Sequence, residues 1–360
     1  MSTDHTSTEQ DVLARIDAAR RRRPKLQDDV VTSAHGAGGK ASAALIDAVF
    51  IEAFGQPGPE LADAATLDVA DAGRLAFSTD SFVVKPLRFP GGSIGDLAVN
   101  GTVNDLAVSG ARPRWLSAAF VLEEGLRIDD LRAIVADMRR AADAAGVHIV
   151  TGDTKVVAKG GADQVFICTA GVGVIPDGRS LGADQVRAGD RLVLSGEIGA
   201  HGMSVMMARG DLAIEADIHS DTASVSGLVE ALYDAGVTPR WMRDATRGGL
   251  GTVVNELAQA TNLGVVLDDE SIPVSPMVQG CCDMLGIDPL YVANEGCFVA
   301  VVPADQADAA ARALRAAGAE RAGLVGEIVA DPPGLVAVRN GFGGVRILDM
   351  LVGDPLPRIC

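Results

Sequence analysis

The sequence predicts an α/β protein of two domains, and three observations lead to this fold class. The chain has 360 residues, more than one compact core usually organises. Its composition is 48% hydrophobic, 22% charged and only 4% aromatic, as in soluble α/β proteins rich in Ala, Gly and Val. Segments with strand and helix periodicity alternate along most of its length. Each half should therefore form a layered sandwich of helices on a sheet.

The first half alternates between helical and strand-like segments and ends in a breaker-rich stretch. We expect helices at residues 42–54, 94–110 and 129–146. We expect strands at residues 74–79, 115–122, 148–157 and 164–175. Residues 176–190 concentrate Gly, Asp and Pro between two apolar strands, which predicts a domain boundary.

The second half repeats the same alternation. We expect strands at residues 191–196, 264–269, 297–303 and 323–329. We expect helices from about residue 202 and at residues 224–236, 250–260 and 304–318. The chain then divides into a mobile N-terminal extension, two domains and a flexible tail, at residues 1–30, 31–178, 179–350 and 351–360.

Charge and cysteine content exclude several functional classes. The formal net charge of −17 opposes nucleic-acid binding, which depends on neutralising phosphates. Five cysteines without a CxxC pair favour neither a disulfide framework nor a four-cysteine zinc site, so we expect a reducing cytoplasm. The N-terminus is polar and acidic, unlike a signal peptide. No apolar run approaches the roughly 18 residues that a membrane helix needs.

A glycine-rich loop, HGAGGK at His35–Lys40, precedes the first predicted helix. It lacks the GxxxxGK[ST] spacing of a Walker A motif and the third glycine of GxGxxG. Backbone N–H groups in such a loop can bind phosphate, and the same sequence can form a plain structural turn. Both interpretations stay open for this motif.

A polar stripe follows one face of the predicted helix at 94–110. Asp96, Asn100 and Asn104 lie at i, i+4 and i+8, and Asp105 is adjacent to the last of them. Asp and Asn are poor helix formers, so a specific structural or functional role is needed to explain them inside a helix. The stripe predicts either a metal or phosphate site or an exposed helix surface.

Three further aspartates stand at predicted strand ends or turns, with Thr or Gly within two residues: Asp80, Asp153 and Asp244. Mg²⁺ on a nucleotide favours a few carboxylates together with water and phosphate oxygens. Each aspartate alone also fits a turn or a helix cap. Taken with the glycine-rich loop, and with DATRGGL opening a helix whose free N–H groups can face an anion, they indicate a nucleotide site.

Several of these motifs together resemble the HypE family of hydrogenase-maturation proteins. The strings are TSAHGAGGK, FSTDSFVVKPLRFPGGSIGDLAVNGTVNDLAVSGARPRWLSAAFVLEEG, VTGDTKVV, SGEIGAHGM, DATRGGL, ANEGC and the terminal PRIC, and the resemblance runs from about residue 31 to 360. That family is similar to a wider ATP-binding superfamily that includes aminoimidazole-ribonucleotide synthetase. The resemblance implies a two-domain PurM-like fold whose N-terminal domain dimerises, with ATP at or near the shared interface.

The resemblance also implies a reaction and its partners. A carbamoyltransferase, HypF, would place a carbamoyl group on the C-terminal cysteine, Cys360. ATP would then drive dehydration of this thiocarbamate to a thiocyanate. The cyanide would pass to iron held by the HypC–HypD complex, as a ligand of the [NiFe]-hydrogenase centre. A role as group carrier explains a cysteine at the very end of the chain.

Roles for individual residues follow from the matching motifs. The catalytic residues implied are Cys360 as carrier, with Lys155 and Glu295 as the acid–base pair. A purely structural Lys–Glu ion pair stays open as the alternative. The residues implied for Mg²⁺ are Asp80, Asp105 and Asp244. The residues implied for ATP are Gly36, Gly38, Gly39, Lys40, Asn104, Gly152, Asp153, Thr154, Thr246, Gly248 and Gly249.

Two other functions compete with this one. Another enzyme of the superfamily is possible, although a selenophosphate synthetase would be expected to carry a reactive Cys or selenocysteine in its N-terminal glycine-rich segment, and no cysteine precedes Cys168 here. A small-molecule kinase would have no use for a terminal thiol. A passive carbamoyl carrier is the alternative outside enzymology, but it would need no ATP site.

Overall fold

The computed structural model describes residues 26–36, 40–55, 73–210 and 216–350. Most of the predicted N-terminal extension and all of the predicted tail therefore lie outside the described residues. Within them, helices pack against two large sheets, which confirms the predicted α/β class. No helix in this part of the chain is both long enough and apolar enough to cross a bilayer.

The first large sheet has four strands in the order β1-β6-β4-β5, and only β4 and β5 run parallel. Its strands are β1 (Arg74–Phe82), β4 (Arg112–Glu123), β5 (His148–Val157) and β6 (Val165–Ile175). A short hairpin of β2 (Arg88–Phe89) and β3 (Gly92–Ser93) precedes the main helix. Burial alternates along β4, as expected for a sheet with one covered face.

Three helical elements accompany this sheet. They are α1 (Lys40–Leu45, continued by a π-helical stretch, Ile46–Ile51, and by Glu52–Phe54), α2 (Ile94–Val108) and α3 (Ile128–Ala145). Ser93 begins α2 because its hydroxyl accepts hydrogen bonds from the N–H groups of Gly95 (3.1 Å) and Asp96 (3.4 Å). Gly146, at φ 68°, ends α3 in the left-handed region.

Helix α2 is buried on nearly every side: within it only Asp96 and Asp105 are not buried. It packs against β1, β6 and α3, and it also contacts β8 (Trp241–Asp244) and α5 (Ser226–Asp234) of the second half. Its buried polar side chains, Asn100, Thr102 and Asn104, all have hydrogen-bond partners in neighbouring elements, as an interior position requires. Helix α2 therefore occupies the junction between the two halves.

The second large sheet has seven strands in the order β13-β12-β9-β11-β7-β10-β8. The strands beyond β8 are β7 (Arg191–Leu194), β9 (Gly264–Asp268), β10 (Phe298–Val302), β11 (Gly323–Val329), β12 (Val336–Arg339) and β13 (Val345–Leu348). The remaining helices are α4 (Ala200–Arg209), α6 (Gly249–Thr261), α7 (Pro276–Leu285) and α8 (Ala307–Ala316).

The hydrophobic cores show how the halves are joined. One core lies on the covered face of the four-stranded sheet and extends to Met203 and Met206 of α4 and to Val278 and Cys282 of α7. Two further cores lie on the seven-stranded sheet. Helices α4 and α7 follow the predicted boundary in sequence, yet they bury apolar side chains against the first half. The junction is thus a packed interior rather than a loose hinge.

Candidate functional site

Three predicted carboxylates converge beside α2. Asp80 lies in β1, Asp105 lies near the end of α2, and Asp244 ends β8. Burial raises the pKa of Asp80, and repulsion from Asp105 raises it further. Burial also raises the pKa of Asp244 to about 7, with contributions from Asp105 and Asp80. Ser78 donates a hydrogen bond to Asp105 Oδ2 at 2.6 Å, which orients that carboxylate.

The donor set of this cluster suits Mg²⁺ on a phosphate chain. Among the residues that the structure describes, no group of three or more His, Cys, Asp or Glu side chains is arranged to hold a metal ion alone. Mg²⁺ usually takes one or two carboxylates, with water and substrate phosphates completing its octahedron. Carboxylates whose pKa values are raised by burial and mutual repulsion are stabilised by a cation. The cluster therefore fits a nucleotide-borne cation better than a preformed protein cage.

The turn after Asp244 leads into the N-terminus of α6. Gly248 and Gly249 have φ values of 76° and 61°, which favour glycine. A Cβ added to Gly249 would lie 2.5 Å from Leu290 O and 2.7 Å from Val292 O, so the turn also packs closely on the neighbouring chain. These glycines have a structural reason to be present, and phosphate binding by them and Thr246 stays a prediction.

The predicted ATP residues of β5 lie at the opposite edge of the sheet from Asp80. Asp80 is paired with Thr169 of β6. Thr169 is paired with Ala118 of β4, which is paired with Gly152 of β5. Three strand spacings of about 4.8 Å separate the Cα atoms of Asp80 and Gly152 by about 14 Å. Asp153 and Thr154 follow Gly152 on this edge.

The two faces of the sheet differ as well. Thr169 Oγ1 lies 2.6 Å from Thr102 Oγ1 of α2, so the row containing Asp80 points toward the helix. Because side chains alternate along a strand, Asp153 and Lys155 point to the other face. That face is open in the described chain: the side chain of Phe77 is 71% exposed there.

The described start of the glycine-rich loop, His35 and Gly36, belongs to a turn next to β5. Residues Ser33–Gly36 form a short helical turn that contacts β5. Gly38 and Gly39 lie outside the described residues, and Lys40 begins α1. One chain thus has two groups of predicted ATP residues, one at each edge of the four-stranded sheet.

Glu295 lies on the carboxylate side, in the loop before β10. Its side chain is 4% exposed. Asn104 donates hydrogen bonds from Nδ2 to Glu295 O (3.1 Å) and Ala223 O (3.0 Å), and its Oδ1 accepts from Val225 N (2.8 Å). The Asn104 amide therefore links α2 to the second half. Contact of Asn104 with ATP stays a prediction.

The two predicted acid–base residues, Lys155 and Glu295, lie in different parts of the fold within one chain. Lys155 lies on the exposed edge strand, whereas Glu295 is buried on the other side of the sheet. Spacing along the sequence does not reveal that β5 is the outermost strand, and the roles of Lys155 and Glu295 as an acid–base pair stay a prediction.

The polar stripe of α2 contacts protein rather than solvent at two of its positions. Asn100 Nδ2 donates to Thr222 Oγ1 at 3.3 Å, and Asn104 bonds the same segment. Sequence reasoning gave no role to this segment, although an aspartate between Ser220 and Thr222 is a signal for a hydrogen-bonded turn. Cys360 lies outside the described residues, so its carrier role stays a prediction.

Comparison with known proteins agrees with this architecture. Family models for AIR synthase related proteins match residues 61–175 (N-terminal domain) and 187–338 (C-terminal domain). The chain is 54% identical over 342 residues to carbamoyl dehydratase HypE of Rhodobacter capsulatus, covering 93% of this chain and 99% of the relative. It is 47% identical over 334 residues to carbamoyl dehydratase HypE of Escherichia coli (strain K12), covering 91% and 98%.

Solved structures give the same result. A crystal structure of hydrogenase maturation protein HypE in complex with ATP superposes with a TM-score of 0.85 at 44% identity, covering 91% of this chain and 99% of that one. A HypE–HypF complex gives 0.75 at 41% identity, covering 86% and 100%. Thiamine monophosphate kinase from Aquifex aeolicus, at 18% identity and a TM-score of 0.56 over 73% and 87%, shares the fold. The two-domain fold predicted from the sequence is confirmed.

Proposed function

We propose, from the premise that the chain belongs to the HypE family of carbamoyl dehydratases, that it converts a thiocarbamate on Cys360 into a thiocyanate with ATP. The reaction takes R–S–C(=O)NH₂ and ATP to R–S–C≡N, ADP and inorganic phosphate. The carbamoyl oxygen leaves in the phosphate, so no free water is released. The thiocyanate then supplies cyanide for the iron of a [NiFe]-hydrogenase.

One structural link supports this chemistry most. Helix α2 carries Asp105 among the three carboxylates and, one residue earlier, Asn104 against the backbone of Glu295. Consecutive residues of one rigid helix therefore belong to the carboxylate cluster proposed for the phosphates and position the buried residue Glu295. Phosphoryl transfer depends mainly on positioning and charge neutralisation, and such a helix supplies positioning.

The candidate residues have two roles, binding of the cation and proton transfer. Asp80, Asp105 and Asp244 would hold Mg²⁺, which neutralises phosphate charge when bound. An amide oxygen leaves poorly until phosphorylated, and ATP supplies that phosphoryl group. The carbamoyl nitrogen must lose two protons as the triple bond forms, and we assign this general-base work to Glu295 with Lys155.

A second copy of the chain would bring the two groups together. Within one chain, Lys155 and the turn Ser33–Gly36 lie at the β5 edge of the sheet, and β5 is about 14 Å from the strand of Asp80. The open face also exposes Leu75 (52%) and Phe77 (71%). Exposed apolar side chains next to one another mark an association surface. We assign this face to a homodimer in which Lys155 of one copy serves the Glu295 site of the other.

Mixed dimers test this arrangement. We expect Lys155→Ala and Glu295→Gln each to be inactive alone. When the two variants are unfolded together, refolded and mixed equally, half of the dimers should be mixed, and each mixed dimer should contain one intact site. About a quarter of wild-type activity should return, because random pairing makes half of the dimers mixed and each mixed dimer has one intact site out of two. No recovery in verified mixed dimers would mean that one chain supplies both residues.

The partners follow from the same chemistry. HypF is the proposed carbamoyl donor, since a solved complex pairs a 41% identical HypE with it. The HypC–HypD complex is the proposed acceptor of cyanide. The cysteines in the described residues, Cys168, Cys281, Cys282 and Cys297, are free thiols, which is compatible with a reducing cytoplasm.

Mass spectrometry of the full-length chain tests the function directly. The protein is incubated with the carbamoyltransferase and its substrates, first without and then with Mg-ATP. We expect Cys360 to gain a carbamoyl group and then to lose the elements of water only when Mg-ATP is present. Cys360→Ala should remain unmodified, whereas Cys168→Ala, which removes another exposed thiol, should behave as wild type. A stable carbamoyl adduct would indicate a passive carrier. An unmodified wild-type chain with an active donor would refute the function.

A further inference from the structure

Asp221 lies in the segment between α4 and α5. This segment contacts both helix α2 and the loop of Glu295. Its Oδ1 and Oδ2 accept the N–H of Glu295 at 3.1 and 3.2 Å, and Oδ2 also accepts the N–H of Gly296 at 3.0 Å. One carboxylate thus binds two consecutive N–H groups of the loop. Hydrogen bonds to a charged acceptor are stronger than those between neutral groups.

The segment of Asp221 and the loop of Glu295 are in close backbone contact at Gly296. A Cβ added to Gly296 would overlap the carbonyl oxygen of Asp221, so the chains approach at backbone distance. Ala223 N donates in return to Glu295 O at 3.4 Å. The loop of Glu295 therefore takes its position from the segment around Asp221, through both side-chain and backbone bonds.

That segment is itself fixed to the first half of the chain. Ser220 N donates to Pro90 O at 2.8 Å, and Ser220 Oγ lies 2.9 Å from Nδ1 of His201. Asn100 and Asn104 of α2 bond Thr222 and Ala223, as described above. Asp221 is thus the link between a segment anchored on α2 and the backbone of Glu295.

Asp221 is poorly suited to act on substrate itself. Its two oxygens already accept bonds from the loop, and burial raises its pKa to about 6. The groups that face it are the backbone of Glu295 and the thiol of Cys297, whose pKa burial and the nearby Asp221 raise to about 12. No described cation neutralises it. A buried charge in such surroundings depends on hydrogen bonds, and the two N–H groups supply them.

We infer that Asp221 is a positioning residue for dehydration: by holding the N–H groups of Glu295 and Gly296, it directs the Glu295 carboxylate toward the reacting carbamoyl group. This inference rests on the function proposed above for Glu295. Asp221→Asn keeps the size of the side chain but turns one of its two acceptors into a donor that faces an N–H group. The loop would then lose its fixed position while the protein stays folded.

The test measures each step separately on the full-length protein. We expect Asp221→Asn to slow water loss from carbamoylated Cys360 by about 100-fold, the cost of a small misplacement of a catalytic group. The rate of carbamoylation and the KM for ATP should stay at wild-type values, since neither depends on Glu295.

Two further variants keep the result interpretable. Gly296→Ala separates the loop from Asp221 while leaving the carboxylate in place, and it should reproduce the selective loss of the dehydration rate. Asp217→Asn, in the same segment with a side chain 89% exposed, is the matched control and should have no effect. Equal losses in carbamoylation, ATP binding and dehydration, or a wild-type dehydration rate in Asp221→Asn, would overturn the inference. A wild-type rate in Glu295→Gln would instead refute the role proposed for Glu295.

Discussion

Replacing Asp244 by Asn should stabilise the metal-free protein while abolishing turnover. Burial and two neighbouring carboxylates raise the pKa of Asp244 from 3.8 to about 7. Between these pH values the Asp244 carboxyl is ionised in the unfolded chain and protonated in the folded chain. The free energy of unfolding therefore falls as the pH rises, and it levels off above about pH 7. At ~1.4 kcal/mol per pH unit, the penalty removed by Asp244→Asn approaches ~4 kcal/mol.

Urea unfolding in the presence of a chelator measures this effect. The variant and wild type should be equally stable near pH 4, and the variant should gain steadily up to about pH 7 and then level off. Asp217→Asn, which removes an 89% exposed carboxylate, should show no such trend. Mg-ATP should stabilise only the wild type, by mass action. A gain that is absent above pH 7, or that does not change with pH, would refute the raised pKa of Asp244 in the folded protein.

Three other predictions follow from the described residues. Burial lowers the pKa of His201 to about 3, so the free energy of unfolding should fall as the pH drops from 6.5, by up to about 5 kcal/mol, and urea titrations of His201→Gln should show a smaller fall. Gly249→Ala should cost about 1–3 kcal/mol more in thermal unfolding than Gly146→Ala, which has a similar φ but nothing within 4 Å of the new Cβ. If the proposed homodimer uses the open face, Phe77→Asp should give monomers in light scattering, whereas a change at the fully exposed Phe342, Phe342→Asp, should not. A Phe77→Asp variant that is still dimeric would contradict this interface.

Regular periodicity made most elements predictable. The predicted strand at 148–157 matches β5, and the predicted helix at 129–146 matches α3 to within a residue at each end, because their side-chain patterns are strong. The strands β8, β12 and β13 were missed. Each is four residues long, and β8 contains Arg and Asp, so no alternating pattern marks it. Helix α7 was also missed, since Pro276 and Gly280 resemble loop residues.

The candidate site was predictable in its chemistry but not in its arrangement. The resemblance implied Asp80, Asp105 and Asp244 as carboxylates for a nucleotide-bound cation, and the fold brings the three together. The location of Lys155 could not be predicted, because strand order and side-chain face depend on pairing between distant residues. The role inferred for Asp221 depends on backbone N–H groups that no sequence pattern identifies.

The burial of α2 also constrains how this protein can evolve. A Cβ at Gly101 would lie 2.8 Å from the ring of Phe82, and one at Gly95 would overlap Ile134 O. Changes along α2 therefore disturb the hydrophobic interior and the support of Glu295 at the same time. Mutations here should reduce stability and turnover together, so inherited diversity in substrate or partner choice should accumulate in the loops around the site and spare its central helix.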